Sequence, residues 1–155
     1  MDVIDFYSVS DEFGEFSNFA PFPIRIEGTR WRTSEHYFQA QKFEDAAYRQ
    51  KVQSAKTPML AAQLGRDRKQ KLRRDWESVK VSVMRTAVWA KFSQHEELAL
   101  LLLSTGDARL VEHTENDDYW GDGGDGSGKN MLGRILMEVR ERLRSERSTD
   151  PAMKR

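Results

Sequence analysis

The 155-residue chain contains no cysteine. Disulfides, thiolate metal sites and a cysteine nucleophile are therefore all excluded. It also lacks an excess of either charge: 25 basic residues balance 25 acidic ones, for a formal net charge of zero. That balance argues against a general binder of nucleic acid or of a membrane surface. No apolar run approaches the roughly 20 residues that a membrane-spanning helix requires. The start, Met1-Asp2-Val3-Ile4-Asp5, has neither the basic nor the apolar region of a signal peptide. We expect a cytoplasmic protein, long enough for one domain with a substantial core.

What is present reads as short strands and several helices. Val3 to Ser8 has strand composition. The aromatic segment Phe16-Ser17-Asn18-Phe19, followed by Pro21-Phe22-Pro23, cannot be helical. Ile24 to Ile26 and Thr29 to Arg32 predict a hairpin around Glu27-Gly28. Asp45 to Ser54 reads as helical, and Thr57-Pro58 opens a helix that should stop at Gly65. The segment from Arg66 to Arg74 is strongly basic. Solvation accounts for most of its charges, yet a phosphate ligand needs cations from here or from the hairpin. A helix beginning at Asp75 or Ser78, a leucine-rich helix from Glu96 to Leu103, a strand from Arg109 to Glu112 and a last helix from Met131 to Arg144 complete the chain. The fold class expected is α+β: one mostly helical domain over residues 1–144, with a single small sheet that carries the hairpin. Residues 145–155 have the composition of a disordered tail.

The loop Gly123-Gly124-Asp125-Gly126-Ser127-Gly128-Lys129-Asn130 imitates a P-loop until its last position, where Asn130 replaces the magnesium-binding Ser or Thr. No buried apolar strand precedes it, and Asp122 and Asp125 would repel a polyphosphate. The EF-hand order of calcium ligands is missing too. The glycines are read instead as loop geometry, with positive φ and close backbone approach.

The richest stretch is Thr33-Ser34-Glu35-His36-Tyr37-Phe38-Gln39-Ala40-Gln41-Lys42-Phe43. Thr33 suits an N-cap and Glu35 suits the first turn. At about 100° per residue, Glu35, Gln39 and Lys42 share one helix face beside an apolar one. Spacing alone favours solvated or paired surface side chains over a functional set.

This stretch resembles the signature helix of the YbiA-like (NADAR) family, a Glu-His-Tyr-Phe-Gln-Ala-x-Lys type motif. Phe16-Ser17-Asn18-Phe19, Arg74-Asp75-Trp76, Lys91-Phe92, Leu103-Ser104-Thr105-Gly106-Asp107, Asp117-Asp118-Tyr119-Trp120-Gly121 and Asn130-Met131-Leu132-Gly133 also match family motifs, in order. Only the last dozen or so residues fall outside the resemblance. It implies the YbiA-like fold and an N-glycosidase, with Lys42, Glu35 and Asp117 catalytic. It implies that Asn18, Phe19, Gln39, Trp120, Gly121 and Asn130 bind substrate, in a pocket where the segments around Asn18, Glu35–Lys42 and Asp117 converge.

Substrates implied by the resemblance are phosphorylated ribosylamino-pyrimidine intermediates of riboflavin synthesis or, alternatively, ADP-ribosylated guanine in nucleic acid. No metal and no cofactor are called for. Cleaving a ribose–nitrogen bond requires help for the departing nitrogen, stabilisation of the ribose carbon and a nucleophile. Lys42 suits the last role only if its pKa is depressed. A non-catalytic ADP-ribose or NAD-binding module would use the same residues, without that requirement.

Overall fold

The computed structural model describes residues 2–148. The chain folds as two compact units, one spanning Asn18–Lys91 and the other combining residues up to Ser17 with those from Phe92 onward. Six α-helices and four short strands are formed among the described residues, an α+β protein with little sheet.

In the Asn18–Lys91 unit, β2 (Ile24–Ile26) and β3 (Thr29–Trp31) form an antiparallel hairpin. Its turn puts Glu27 and Gly28 at φ of 51° and 81°, the left-handed region that glycine adopts without a steric cost. Helix α1 covers Ser34–Ala40, and the Thr33 side chain accepts from His36 N as the N-cap. Helix α2 (Ala46–Gln53) is capped in the same manner by Asp45, and α3 (Pro58–Gly65) by Thr57 with Pro58 in its first turn. Helix α4 (Trp76–Gln94) follows. Ile24, Trp31, Ala40, Phe43, Tyr48, Val52, Ala61 and Ala87 form the core of this unit.

In the other unit, β1 (Val3–Phe6) pairs in parallel with β4 (Arg109–Glu112), from Val3 opposite Arg109 to Phe6 opposite Glu112. Helix α5 (Glu96–Ser104) and helix α6 (Met131–Ser148) pack with β4 around Phe6, Leu98, Leu102, Leu110, Leu132, Ile135 and Leu136. Buried Arg140 reaches from α6 to the turn before β4, where it donates to Thr105 Oγ1 and to the Ala108 carbonyl, both at 2.8 Å.

Two expectations are corrected here. The hairpin does not join β1 and β4; it is a two-stranded sheet by itself. The last helix also passes Arg144 to end at Ser148, so residues 145–148 are helical rather than tail. Ion pairs along this end explain the extension: Arg142 with Glu146 at 3.7 Å and Arg147 with Glu96 of α5 at 2.6 Å. The rest of the expected tail, 149–155, lies outside the described residues. No described helix is long and apolar enough to cross a membrane.

Candidate active site

Helix α1 is short because a tertiary contact ends it. Phe43 forms an isolated antiparallel bridge with Leu72. Arg73 N donates to the Lys42 carbonyl at 2.8 Å. The helix thus stops at Ala40, and Lys42 sits on the turn beyond it, not on a helical face as its spacing predicts.

Glu35, Gln39 and Lys42 are nevertheless all buried. Gln39 Nε2 donates to Glu35 Oε2 at 2.7 Å, the i, i+4 reach of a helix. Lys42 Nζ lies 5.8 Å from the centre of the Phe38 ring. With only 9% of its surface exposed, burial is the largest influence on the Lys42 ammonium. It lowers the pKa to about 8; the Glu35 carboxylate opposes the shift, while Arg68, Arg66 and Lys80 add to it. The basic segment therefore acts electrostatically on this lysine. Lys80, a helix residue with an exposed Glu77 partner at 2.7 Å, carries no sequence signal for such a role.

Asn18 is buried against the start of α1. Its Oδ1 accepts from Ser34 Oγ at 2.8 Å, its Nδ2 donates to Met84 Sδ at 3.3 Å, and its carbonyl accepts from Glu35 N at 3.3 Å. Neighbouring Phe19 is half-buried. His36, on the other side of α1, is a core residue. Its Nε2 lies 2.9 Å from the Ala55 carbonyl, which can only accept, so Nε2 carries the proton and Nδ1 accepts from Thr33 Oγ1 at 2.8 Å. Burial lowers its pKa, which keeps the ring neutral.

Asp117, Trp120, Gly121 and Asn130 belong to the other unit. Asp117 Oδ1 accepts from Tyr119 N and Trp120 N at 2.9 and 2.8 Å, closing a tight turn. Asp117 also lines a cavity of about 500 Å³ with Glu115, Asn116, Asp118, Asp125 and Ser127. Half-buried Trp120 meets Tyr119 edge to face at 4.9 Å. A β-carbon on Gly121 would stand 2.8 Å from the Asp117 carbonyl and 2.9 Å from that of Glu112, so only glycine fits this crossing. Asn130, at φ 53°, donates from Nδ2 to the Leu110 carbonyl at 2.9 Å and accepts Glu112 N on Oδ1 at 3.0 Å. Both ends of its amide are thus committed to β4.

Asp122 binds three donors of its own loop region: His113 Nδ1 at 2.7 Å, Thr114 N at 3.0 Å and Gly124 N at 2.9 Å. Among the described residues, no three His, Asp or Glu side chains are grouped to hold a metal ion. A second cavity, about 270 Å³, is lined by Arg30, Arg32, Gln50, Gln53 and Ser54. The last three belong to the carbonyl end of α2, whose partial negative charge these arginines complement. Lys80 is the residue of the set around Lys42 that the sequence did not point to. Lys91 is 1% exposed with its Nζ 5.8 Å from the Phe22 ring centre, and was visible only as part of a motif.

Residues 5–144 match the NADAR domain family. The chain is 61% identical over 145 residues to the N-glycosidase YbiA of Escherichia coli, covering 94% of this chain and 91% of that protein. It is 49% identical over 140 residues to a riboflavin biosynthesis protein of Vibrio vulnificus, covering 90% of this chain but 38% of the larger protein. The NMR structure of E. coli YbiA superimposes with a TM-score of 0.90 at 59% identity, over 96% of this chain and 89% of that one.

Proposed function

The chain belongs to the NADAR family and is an N-glycosidase, and on that premise we propose that it hydrolyses the ribose–nitrogen bond of phosphorylated ribosylamino-pyrimidine intermediates of riboflavin biosynthesis. The riboflavin biosynthesis relative supports this substrate over ADP-ribosylated guanine. The observation that carries the mechanism is Lys42, whose pKa of about 8 leaves about one molecule in ten with a neutral amine at pH 7. An ordinary lysine would be almost wholly protonated.

In the reaction, Lys42 passes a proton to Glu35 and its neutral Nζ adds to C1 of the ring-opened ribosylamine. Glu35 gives that proton to the pyrimidine nitrogen. The C1–N bond then breaks with its electron pair on the departing nitrogen, while Glu35 relays a second proton to it from Nζ. The product at this stage is a protonated Schiff base between Lys42 and C1. Water adds to C1 and loses a proton to Glu35. Collapse returns protons to Nζ, breaks C1–Nζ and frees the sugar aldehyde. Gln39 holds the Glu35 carboxylate throughout, and Arg66 and Arg68 are the cations for the substrate phosphate. The roles of Asn18, Phe19, Asp117, Trp120 and Gly121 remain those implied by the family motifs, whereas Asn130 serves by joining its loop to β4.

The test is turnover of a ribosylamino-pyrimidine phosphate in the presence of borohydride, read by intact-protein mass spectrometry. We expect base release and a reduced sugar adduct on Lys42, both abolished in Lys42→Arg. Full activity in Lys42→Arg would leave a water activated by a carboxylate as the mechanism. Faster release of ADP-ribose from modified guanine would reassign the substrate.

A further inference from the structure

Gly65 is the last residue of α3, and helical geometry there makes no use of glycine's freedom, because its φ is not in the left-handed region. Alanine would ordinarily be the better helix former at such a position. Space is what the glycine provides. A β-carbon built at Gly65 would collide with Gln39 Oε1 and stand 2.7 Å from Gln39 Cδ and 3.1 Å from Gln39 Cβ. The Gln39 side chain lies flat against this bare backbone, and its Oε1 is buried there with no hydrogen-bond partner among the described residues. In that pose its Nε2 reaches Glu35 Oε2.

The backbone at Gly65 is not free to retreat from the contact. Tyr48 Oη donates to the Leu64 carbonyl at 2.6 Å, and Arg68 donates to the Gly65 carbonyl at 3.1 Å. A β-carbon at residue 65 would therefore be accommodated by the flexible end of Gln39. That end is the part that holds Glu35.

We propose that Gly65 is a positioning residue of the reaction: the missing β-carbon lets the Gln39 amide lie where it orients the Glu35 carboxylate beside Lys42. The inference rests on the assignment of Glu35 and Lys42 as the reacting pair. It assigns a functional constraint to the last residue of α3.

The test is a cycle of wild type, Gly65→Ala, Gln39→Ala and the double variant, with two readouts. Hydrolysis of the ribosylamino-pyrimidine phosphate is followed against pH, and the Glu35 carboxyl is titrated by carbon NMR without substrate. Losing a hydrogen bond to an ionised carboxylate should reduce kcat/KM in Gly65→Ala about tenfold or more. It should also raise the Glu35 midpoint and move the acid limb of the rate profile upward with it. Thermal unfolding of Gly65→Ala should stay close to wild type, because a side-chain tip yields and helix propensity improves. The double variant should be no worse than Gln39→Ala, since the atoms that a β-carbon would strike most closely, Oε1 and Cδ, are gone. Additive losses, or an unmoved Glu35 titration in Gly65→Ala, overturn the proposal. A Gly65→Ala enzyme at full rate beside inactive Glu35→Gln and Lys42→Arg would also overturn it, while leaving the reacting pair intact. Activity retained in both Glu35→Gln and Lys42→Arg would instead remove the reacting pair itself.

Discussion

Burying the Lys42 ammonium has a thermodynamic signature that can be read without any substrate. The Lys42 pKa falls from 10.5 to about 8 in the folded protein. Between those values the unfolded chain binds a proton at this residue that the folded chain does not, so stability rises with pH across the window. At 1.36 kcal/mol per unit, the rise amounts to about 3 kcal/mol between pH 8 and pH 10.5. Below pH 8 both states are protonated and the cost of the buried charge is constant. Lys42→Met keeps an unbranched chain of similar length and removes the titration. Its offset from wild type at any one pH also contains the loss of a cation beside Glu35, so the informative quantity is the pH slope of the difference. Urea unfolding at half-unit steps from pH 7 to pH 10.5 should show wild type gaining about 3 kcal/mol on Lys42→Met, with most of the gain above pH 8. Parallel curves, differing by a constant to within about 0.5 kcal/mol, would mean that Lys42 titrates as an ordinary surface lysine. The nucleophile would then have to be sought elsewhere.

Asn130→Ala should lower stability by about 2–4 kcal/mol in the same unfolding assay, because it strands the buried Leu110 carbonyl and puts alanine at positive φ. Glycine at residue 130 should recover part of that loss. Asp122 favours the charged form of His113, first through their hydrogen bond and then through Coulomb attraction, which raises its pKa above 6.5. Its stabilising contribution is present at acid pH and fades as pH rises through the raised value. An NMR titration should place the His113 midpoint above that of a free histidine, and Asp122→Asn should bring it back.

Features set by chemistry within a few residues were legible in the sequence. The caps at Thr33 and Thr57, the hairpin around Glu27-Gly28 and the strand from Arg109 to Glu112 all form where side-chain type and spacing put them. Features set by distant partners were not. The end of α1 depends on the bridge of Phe43 to Leu72, and nothing near Ala40 announces it. Whether the hairpin joins β1 and β4 is a matter of topology that strand composition does not encode. The same division runs through the candidate site. Gln39 bonded to Glu35 follows from i, i+4 spacing. The place of Gly65 depends on where α3 passes α1, and alone it reads only as a helix stop. Asn130 sits immediately before the last helix, and its amide is aimed back at β4.

The backbone bond from Arg73 N to the Lys42 carbonyl has a consequence for how this site fails on warming. Arg66 and Arg68, which help to lower the Lys42 pKa, ride on the loop between Gly65 and that bond. Loop and lysine are moored by this bond and the adjoining Phe43–Leu72 bridge, so their charges keep a fixed separation only while that mooring holds. Local opening of a loop normally requires less free energy than global unfolding. Heating should therefore detune the amine before the helices melt, with the rate at neutral pH declining some degrees below the transition seen by circular dichroism. The loss should be reversible on cooling, and much smaller when the assay is run at about pH 10.5, where a lysine of ordinary pKa is already half neutral.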